Sequence, residues 1–276
     1  MRFTKMHELG ADYVLLDLRD RTDIDRNTLA VRICDRHAGV GARAALFLLP
    51  SDRADVRCCA IRADGSEETR CGVGLSAVSR YAFESGIVRK TVFTVETNAG
   101  VETPCVIPEN GRIAGVRVDL GEPVIDAAAV PVRVEGRALG IVLCENGRTF
   151  SAAALRVGTP QTTVFLGRVS EADAKAFGPL IARDPLFPEG TDVTFFETVC
   201  KERIRALMWE RTDGFSPCSK AGAAAAAVAG ALTGKTGRRV EVEGPYGTLC
   251  VEWSQQDNHV YATGPAEPVF SGIWNE

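Results

Sequence analysis

The sequence lacks an apolar run long enough to span a membrane. Its longest apolar run, from Ala221 to Leu232, contains twelve residues, whereas a transmembrane helix needs about 20. The chain opens with MRFTKMHELG, which lacks the apolar core of a secretory signal. We therefore expect a cytoplasmic protein without a membrane partner, and we expect residues 221–232 to form a buried helix.

Clusters of basic residues are also missing. The 32 lysines and arginines are outnumbered by 36 aspartates and glutamates, which gives a formal charge of −4. Nucleic acids bind to surfaces of clustered cations because their phosphates are negative. The sequence therefore predicts no nucleic-acid partner and points to a small-molecule ligand.

The nine cysteines have no C-x-x-C spacing and no neighbouring histidine. Zinc sites need such spacings, and an odd number of cysteines does not suit a disulfide framework. We expect neither a metal site nor disulfides. Most of these cysteines should be small buried side chains in strands, whereas Cys71 and Cys218 stand in different surroundings.

Short runs that alternate between apolar and polar residues recur along the chain. Gly, Pro, Asn and Asp punctuate these runs, a pattern typical of strands joined by turns. The predicted strands are residues 13–16, 45–49, 56–61, 91–97, 116–119, 163–166, 193–197, 240–242, 248–253 and 259–262. The predicted helices are residues 26–36, 74–85, 171–184 and 221–232, the third capped by Ser170. At 276 residues we expect two domains of the α+β class.

The two halves of the chain resemble each other at an offset of 148 positions. The paired positions are Cys71 and Ser219, Gly74 and Gly222, Gly86 and Gly234, and Val92 and Val240. Each half then contains a turn, a helix, a glycine that ends the helix, and a strand. This pattern predicts an internal duplication; coincidence is the alternative, because the matched positions are few.

Cys71 stands just before a predicted helix and is followed by Gly72 and Gly74. Glycines at the start of a helix allow backbone N–H groups to converge on an anion, and the helix dipole adds positive potential there. The same potential favours the thiolate form of a cysteine. Cys71 is therefore a candidate base or nucleophile, and the alternative is a cysteine that packs at a helix cap.

Segments along the whole chain resemble the diaminopimelate epimerases. The opening FTKMHELGADY is similar to the family's FTKMHGLGNDF, and ADGSEETRCGVG is similar to its first active-site loop. The segments FPEGTDV, WERTDG and DNHVYATGPAEPVF follow in the family's order. The resemblance implies two pseudo-symmetric domains, each a strand-rich α/β layer around a central helix, with the site in the cleft between them. It places the domains at residues 1–119, to which 264–276 return, and at residues 120–263.

The resemblance also implies a reaction. These enzymes invert the α-carbon of an amino acid: one thiol removes the α-proton and a second thiol delivers a proton to the opposite face. Backbone N–H groups at two helix N-termini hold the α-carboxylate and stabilise the carbanion. Neither pyridoxal phosphate nor a metal is implied, so no cofactor is expected. A homodimer is what the resemblance suggests.

The second active-site loop differs from the family's ERGxGETxACGTGA. Without a gap the family's cysteine falls on Ser219, which the internal repeat also pairs with Cys71, and Cys218 lies one residue earlier. A serine hydroxyl is far less acidic than a thiol and is a poor proton shuttle. Pro217 could instead redirect the backbone and present Cys218, so both residues remain candidates. Lys220 is either a solvated lysine at a helix start or a source of positive charge or a base.

Several positions that contact the substrate in the family have changed as well. Family asparagines are replaced by Ala11, Arg62, Val73, Thr159 and Asp192, the histidine of its GNPH segment by Gln161, and the glutamate of its GET segment by Phe215. The residues that remain are Glu210 and Arg211, as a clamp for the distal group, and Gly72, Gly74 and Gly222, as parts of the carboxylate cradle. A surface ion pair beside Trp209 is the alternative for the Glu210 and Arg211 pair. The substrate therefore need not be diaminopimelate.

Three functional hypotheses follow. The first is a cofactor-independent amino-acid epimerase or racemase in which Cys71 is opposed by Cys218 or Ser219. The second is a one-base isomerisation on the same scaffold, in which Cys71 moves a proton on one face. The third is a non-catalytic paralogue that binds a small ligand or a protein partner.

Overall fold

The computed structural model describes residues 1–21, 23–68, 72, 74–216 and 219–275. The strands are β1 (Arg2–Glu8), β2 (Ala11–Asp17), β3 (Ala44–Leu49), β4 (Val56–Arg62), β5 (Val95–Thr97), β6 (Gly100–Glu102), β7 (Cys105–Glu109), β8 (Arg112–Asp119), β9 (Leu139–Glu145), β10 (Arg148–Val157), β11 (Thr159–Phe165), β12 (Asp192–Cys200), β13 (Arg203–Glu210), β14 (Gly214–Ser216), β15 (Arg239–Gly244), β16 (Gly247–Trp253), β17 (Val260–Gly264) and β18 (Glu267–Ile273). The α-helices are α1 (Arg26–Cys34), α2 (Leu75–Glu84), α3 (Glu171–Ile181) and α4 (Lys220–Leu232), and a 3₁₀ turn covers Ala127–Ala129. Strands far outnumber helices in the described chain, and the predicted α+β class is confirmed.

The chain divides into two compact units. The first comprises Met1–Asp119 and Thr263–Glu276, and the second comprises Leu120–Ala262. The first unit is therefore discontinuous in sequence, because the last strand, β18, belongs with the first 119 residues. The second unit is a single continuous segment.

The first unit is built on a seven-stranded sheet in the order β18-β1-β2-β3-β4-β5-β6. The central strand β3, with the sequence AALFLL, is buried along its whole length. Ala45 and Phe47 face the core beneath α1, and Leu46 contacts the start of α2 on the opposite side. Because side chains alternate across a strand, a continuous apolar run of this kind indicates a strand covered on both faces.

Cys58 and Cys59, on β4, are both buried, as expected for adjacent residues on opposite faces of a covered strand. The expectation that most cysteines are buried is wrong for the seven that the structure describes: Cys34 is the third buried one, Cys105 and Cys250 are half-buried, and Cys144 and Cys200 are exposed. Cys144 lies on β9, at the end of its sheet, and Cys200 ends β12. Cys144 is exposed because it lies on the solvent face of β9, opposite the buried Ile141 and Leu143, and Cys200 lies in the exposed end of β12.

The second unit wraps a long sheet around α4. The sheet order is β17-β16-β15-β13-β12-β11-β10-β9, and β14 pairs with β13. Residues Gly222–Gly230 of α4 are all buried, so the prediction of a buried helix here is confirmed. Small side chains allow this close packing: a Cβ added to Gly222 would lie 2.6 Å from Thr194 Oγ1.

The ends of α2 and α4 match at the predicted offset. Gly86 and Gly234 follow the two helices with φ angles of +69° and +68°, a left-handed conformation that glycine adopts without steric penalty. The helix starts differ, because α4 begins about one turn earlier than the offset from α2 requires. No helix among the described residues combines the length and the apolar character of a membrane span.

Candidate functional site

The loop before α2 contains the first predicted catalytic residue. Cys71 and Val73 lie outside the described residues, so their predicted roles stay predictions. Gly72 and Gly74 have φ angles of +79° and +68°, which side chains disfavour. A Cβ at Gly74 would also lie 2.5 Å from the side chain of Leu46. Gly74 is therefore required by its backbone conformation and by the close approach of β3.

A carboxylate occupies the N-terminal turn of α2. Glu8 Oε1 accepts a hydrogen bond from the backbone N–H of Ala77 at 2.7 Å, and Glu8 is only 7% exposed. The first N–H groups of a helix have no partner within the helix and carry positive potential, so a carboxylate is stable there. The sequence prediction missed Glu8, although the signal was present: this glutamate stands where the family's opening motif has glycine.

The other predicted contacts of the first unit lie on two strands. Ala11 begins β2 and is buried. Arg62 ends β4, and its Nη1 lies 3.3 Å from Glu68 Oε2 in an ion pair. Glu68 is itself buried, so the charge of Arg62 is balanced by a neighbouring side chain.

The second unit brings four predicted residues into one cluster, which we call the Asp192 cluster: Thr159, Gln161, Asp192 and Arg211. Asp192 Oδ2 accepts hydrogen bonds from Thr159 Oγ1 at 3.0 Å and from Gln161 Nε2 at 3.2 Å. Asp192 Oδ1 accepts one from the backbone N–H of Arg211 at 2.9 Å. Gln161 Nε2 also donates to Thr159 Oγ1 at 2.8 Å.

Strand direction explains this assembly. Thr159 and Asp192 are the first residues of β11 and β12, which run parallel with Gln161 opposite Asp192. Strand β13 is antiparallel to β12. Arg211, just after the end of β13, therefore lies beside the start of β12. Thr159, Asp192 and Arg211, which are about 30 and 50 positions apart in sequence, therefore meet at one end of these strands.

The guanidinium group of Arg211 is held by the protein itself. Its Nη1 donates to the carbonyl oxygens of Glu189 at 2.7 Å and Gly190 at 3.1 Å. Its Nε lies 4.0 Å from Asp192 Oδ1. The neighbouring Glu210 is buried, with 4% exposure, so the alternative of a surface ion pair beside Trp209 is wrong for this residue.

In the second loop, Pro217 and Cys218 lie outside the described residues. Ser219 is the N-cap of α4: its Oγ accepts a hydrogen bond from the backbone N–H of Gly222 at 3.3 Å. The N–H of Ser219 lies 2.9 Å from Met208 Sδ. Lys220 is the first residue of α4. The serine hydroxyl thus has a structural task as a helix cap.

Two further residues of this region make packing contacts. Phe215 packs against the core of the second unit, and the Lys175 ammonium lies 4.7 Å from the centre of its ring. A Cβ at Gly222 would meet Thr194 Oγ1 and, at 3.0 Å, Met208 Sδ. Gly222 is therefore required for the close approach of α4 to the sheet, whatever else it contacts.

The buried thiols among the described cysteines are poor proton acceptors. Burial raises the pKa of Cys34 to about 12 and raises the pKa values of Cys58 and Cys59. Such thiols stay protonated near neutral pH. In the described part of the chain, no group of three or more histidine, cysteine, aspartate or glutamate side chains is arranged to hold a metal ion.

Comparison with known proteins identifies the family. The family model for diaminopimelate epimerase matches residues 3–125 and 153–269. The chain belongs to the diaminopimelate epimerase family. The diaminopimelate epimerase of Pelotomaculum thermopropionicum is 42% identical over 99% of this chain and 98% of its own length. That of Caldanaerobacter subterraneus subsp. tengcongensis is 40% identical over the same shares.

The fold agrees with this family assignment. A probable proline racemase from Agrobacterium radiobacter K84 superimposes with a TM-score of 0.68 at 18% identity, over 99% of this chain and 92% of its own. The predicted family and the predicted epimerase-like fold are confirmed. The protein is an isomerase of the amino-acid epimerase and racemase class, as the first hypothesis states.

Proposed function

We propose that the protein inverts the α-carbon of an amino acid without a cofactor. The observation that carries this proposal is the 40–42% identity to diaminopimelate epimerases, which extends over 99% of the chain. In the reaction, the bond between Cα and its hydrogen breaks and the proton passes to a base on one face. The electron pair is delocalised into the α-carboxylate, and an acid on the other face then protonates Cα.

We propose Cys71 as one of these two groups. In sequence it precedes Gly72 and Gly74, and α2 begins at Leu75, so the positive end of the helix dipole would favour its thiolate. The buried thiols of Cys34 and Cys58 are unsuited to this task because their pKa values are raised.

We propose Cys218, rather than Ser219, as the opposing group. The Ser219 hydroxyl already caps α4 through the N–H of Gly222. A thiol is also far more acidic than a hydroxyl, so it exchanges protons more readily at neutral pH. Two thiols acting on opposite faces would serve both directions of the reaction.

We propose that the remaining predicted residues contact the substrate. The proposed contacts are Ala11, Arg62, Gly72, Val73 and Gly74 of the first unit and Thr159, Asp192, Glu210, Arg211 and Lys220 of the second. Gly222 is the least supported of the residues predicted to hold the α-carboxylate, because its N–H already donates to Ser219 Oγ. We further propose that the two units are the epimerase-like domains, with boundaries after residues 119 and 263.

Deuterium exchange tests this function. The protein is incubated with L-amino acids in D2O, and NMR and chiral chromatography follow loss of the α-proton and inversion. We expect exchange with inversion, and we expect Cys71→Ser and Cys218→Ser to slow inversion by at least about 100-fold. The matched control is Cys105→Ser, at a half-buried cysteine of β7, which should leave inversion unchanged.

Three outcomes would contradict parts of this assignment. Exchange without inversion in the unaltered protein would favour one-base isomerisation. Unchanged inversion in Cys71→Ser would remove the proposed role of that thiol, and a large loss in Ser219→Ala but not in Cys218→Ser would transfer the opposing role to the serine.

We also propose a homodimer formed through β18. This strand is the outermost of its sheet, and Val269, Phe270 and Ile273 are 57%, 50% and 71% exposed. An unpaired strand edge that exposes apolar side chains favours association, and a two-fold contact between two such edges closes the assembly.

A further inference from the structure

Asn98 anchors the segment that leads to Cys71. We call residues 63–72 the Cys71 loop, of which the structure describes 63–68 and 72. Asn98 Nδ2 donates a hydrogen bond to Glu67 Oε2 at 3.1 Å and another to the carbonyl oxygen of Glu68 at 3.3 Å. A side-chain amide nitrogen carries two hydrogens, so these two acceptors in the Cys71 loop engage both of them.

The turn that carries Asn98 is itself held in place. It joins β5 to β6, and Val95 of β5 is buried and pairs with β4. Thr97 Oγ1 donates to the carbonyl oxygen of Gly100 at 3.0 Å and accepts a hydrogen bond from the N–H of Ala99 at 3.2 Å. The amide of Asn98 therefore extends from a turn whose own backbone is hydrogen-bonded.

The anchor at Glu68 lies close to Cys71 along the chain. Cys71 follows Glu68 by three residues, and three residues span at most about 11 Å. On the other side of Cys71, the carbonyl oxygen of Gly72 accepts a hydrogen bond from the N–H of Leu75 at 3.4 Å. The backbone is therefore hydrogen-bonded on both sides of Cys71, by Asn98 before it and by the start of α2 after it.

A second asparagine anchors the same loop farther from Cys71. Asn27 Nδ2, on α1, donates to the carbonyl oxygen of Gly65 at 2.9 Å. Between Gly65 and Cys71, the N–H of Glu68 donates to the carbonyl oxygen of Ala60 at 2.8 Å. A displacement at Gly65 is therefore separated from Cys71 by a hydrogen-bonded segment, whereas a displacement at Glu68 is not.

We propose that Asn98 is a positioning residue: its two hydrogen bonds fix the start of the segment that brings the Cys71 thiol to the α-carbon of the substrate. This inference rests on the proposed function, in which Cys71 transfers a proton. Proton transfer requires its two heavy atoms to come within hydrogen-bond distance, and a misplacement of about 1 Å slows a reaction by as much as about 100-fold. Loss of the anchor therefore affects the rate of proton transfer more than the binding of substrate.

Asn98→Asp tests this role, because aspartate keeps the shape of the side chain but has no hydrogen to donate near neutral pH. We expect kcat for inversion to fall by about tenfold or more, while KM stays within about threefold. We also expect iodoacetamide to alkylate Cys71 at least about threefold faster, because a loosened segment opens more often. Peptide mass spectrometry measures the alkylation of Cys71 independently of catalysis.

Two control variants match this substitution. Asn27→Asp makes the same change at the more distant anchor, where an acidic residue suits the first turn of α1. Glu67→Gln keeps an acceptor for the Asn98 amide. Both controls should leave kcat and the rate of Cys71 alkylation within about twofold, and urea unfolding establishes the stability of all three variants.

The outcomes distinguish this inference from the function on which it rests. An unchanged kcat in Asn98→Asp, or an equal loss in Asn27→Asp, would overturn the inference alone. A lower kcat together with lower stability and unchanged alkylation of Cys71 would also overturn it, because that combination indicates a general structural role. Absence of inversion in the unaltered protein, with faster alkylation of Cys71 in Asn98→Asp, would overturn the proposed function and still support the anchoring of the loop by Asn98.

Discussion

At the scale of single residues, Gly74 is constrained in two separate ways. Its φ angle is +68°, and the space where a Cβ would lie is filled by Leu46. Gly86 has nearly the same φ angle, +69°, but nothing lies within 4 Å of its would-be Cβ. The two glycines that flank α2 therefore separate the effect of backbone conformation from the effect of packing.

We predict that Gly74→Ala destabilises the protein more than Gly86→Ala does. The left-handed conformation costs an alanine about 1–2 kcal/mol at either position, and overpacking against Leu46 adds about 1–3 kcal/mol at Gly74 alone. Urea unfolding measures both variants. Equal losses of unfolding free energy in the two variants would show that Leu46 moves aside for the added methyl group. Gly74→Ala would then cost as much in a Leu46→Ala background as in the unaltered protein.

The sequence could mark some residues of the site without showing what they contact. The carboxylate of Glu8, at the end of β1, reaches Ala77, 69 positions later. Composition and periodicity do not reveal such a contact. The residue types at Thr159, Asp192 and Arg211 were singled out by resemblance, but only the strand directions explain why they meet.

At the scale of elements, the start of α4 distinguishes two roles for Ser219. As an N-cap, its hydroxyl satisfies the N–H of Gly222, and the same arrangement occurs at α3, where Ser170 Oγ accepts from the N–H of Asp173. A proton shuttle would be needed only during the reaction, whereas a cap stabilises the helix in every state.

We predict that Ser219→Ala lowers the free energy of unfolding by about 1 kcal/mol and leaves inversion within about threefold. Ser170→Ala is the matched control, and it should lower stability to a similar extent. Ser219→Asp should restore stability, because aspartate is also a good cap. A loss of inversion in Ser219→Ala without a loss of stability would assign the hydroxyl to the chemistry instead.

Helices were easier to predict than strands. All four predicted helices are present, and their ends differ from the prediction by at most three residues. Of the predicted strand 91–97, the structure has only Val95–Thr97, as β5. The alternating pattern of apolar and polar residues did not predict β1 or β18. Most of β18 is exposed, so its residues show no alternation from which a strand could be predicted.

At the scale of the whole molecule, the outer edge of β18 determines the expected assembly. We predict that Phe270→Lys converts the proposed dimer into a monomer, because a charge placed on an exposed strand edge opposes pairing. Light scattering coupled to gel filtration measures the mass. The control is Tyr246→Lys, at an exposed aromatic residue between β15 and β16; a monomeric unaltered protein would rule out the dimer.

The pairing of β1 with β18 also sets an order of events during synthesis. Thr4 and Ser271 are hydrogen-bonded across this pair and lie 267 positions apart, so a ribosome must make the whole second unit before the first unit can close its sheet. The second unit is one continuous segment, so all its residues are synthesised before β18. Until β18 is synthesised, the edge of β1 that pairs with it has no partner strand. In the nascent chain this edge is therefore the part of the first sheet most open to mispairing and to chaperone binding.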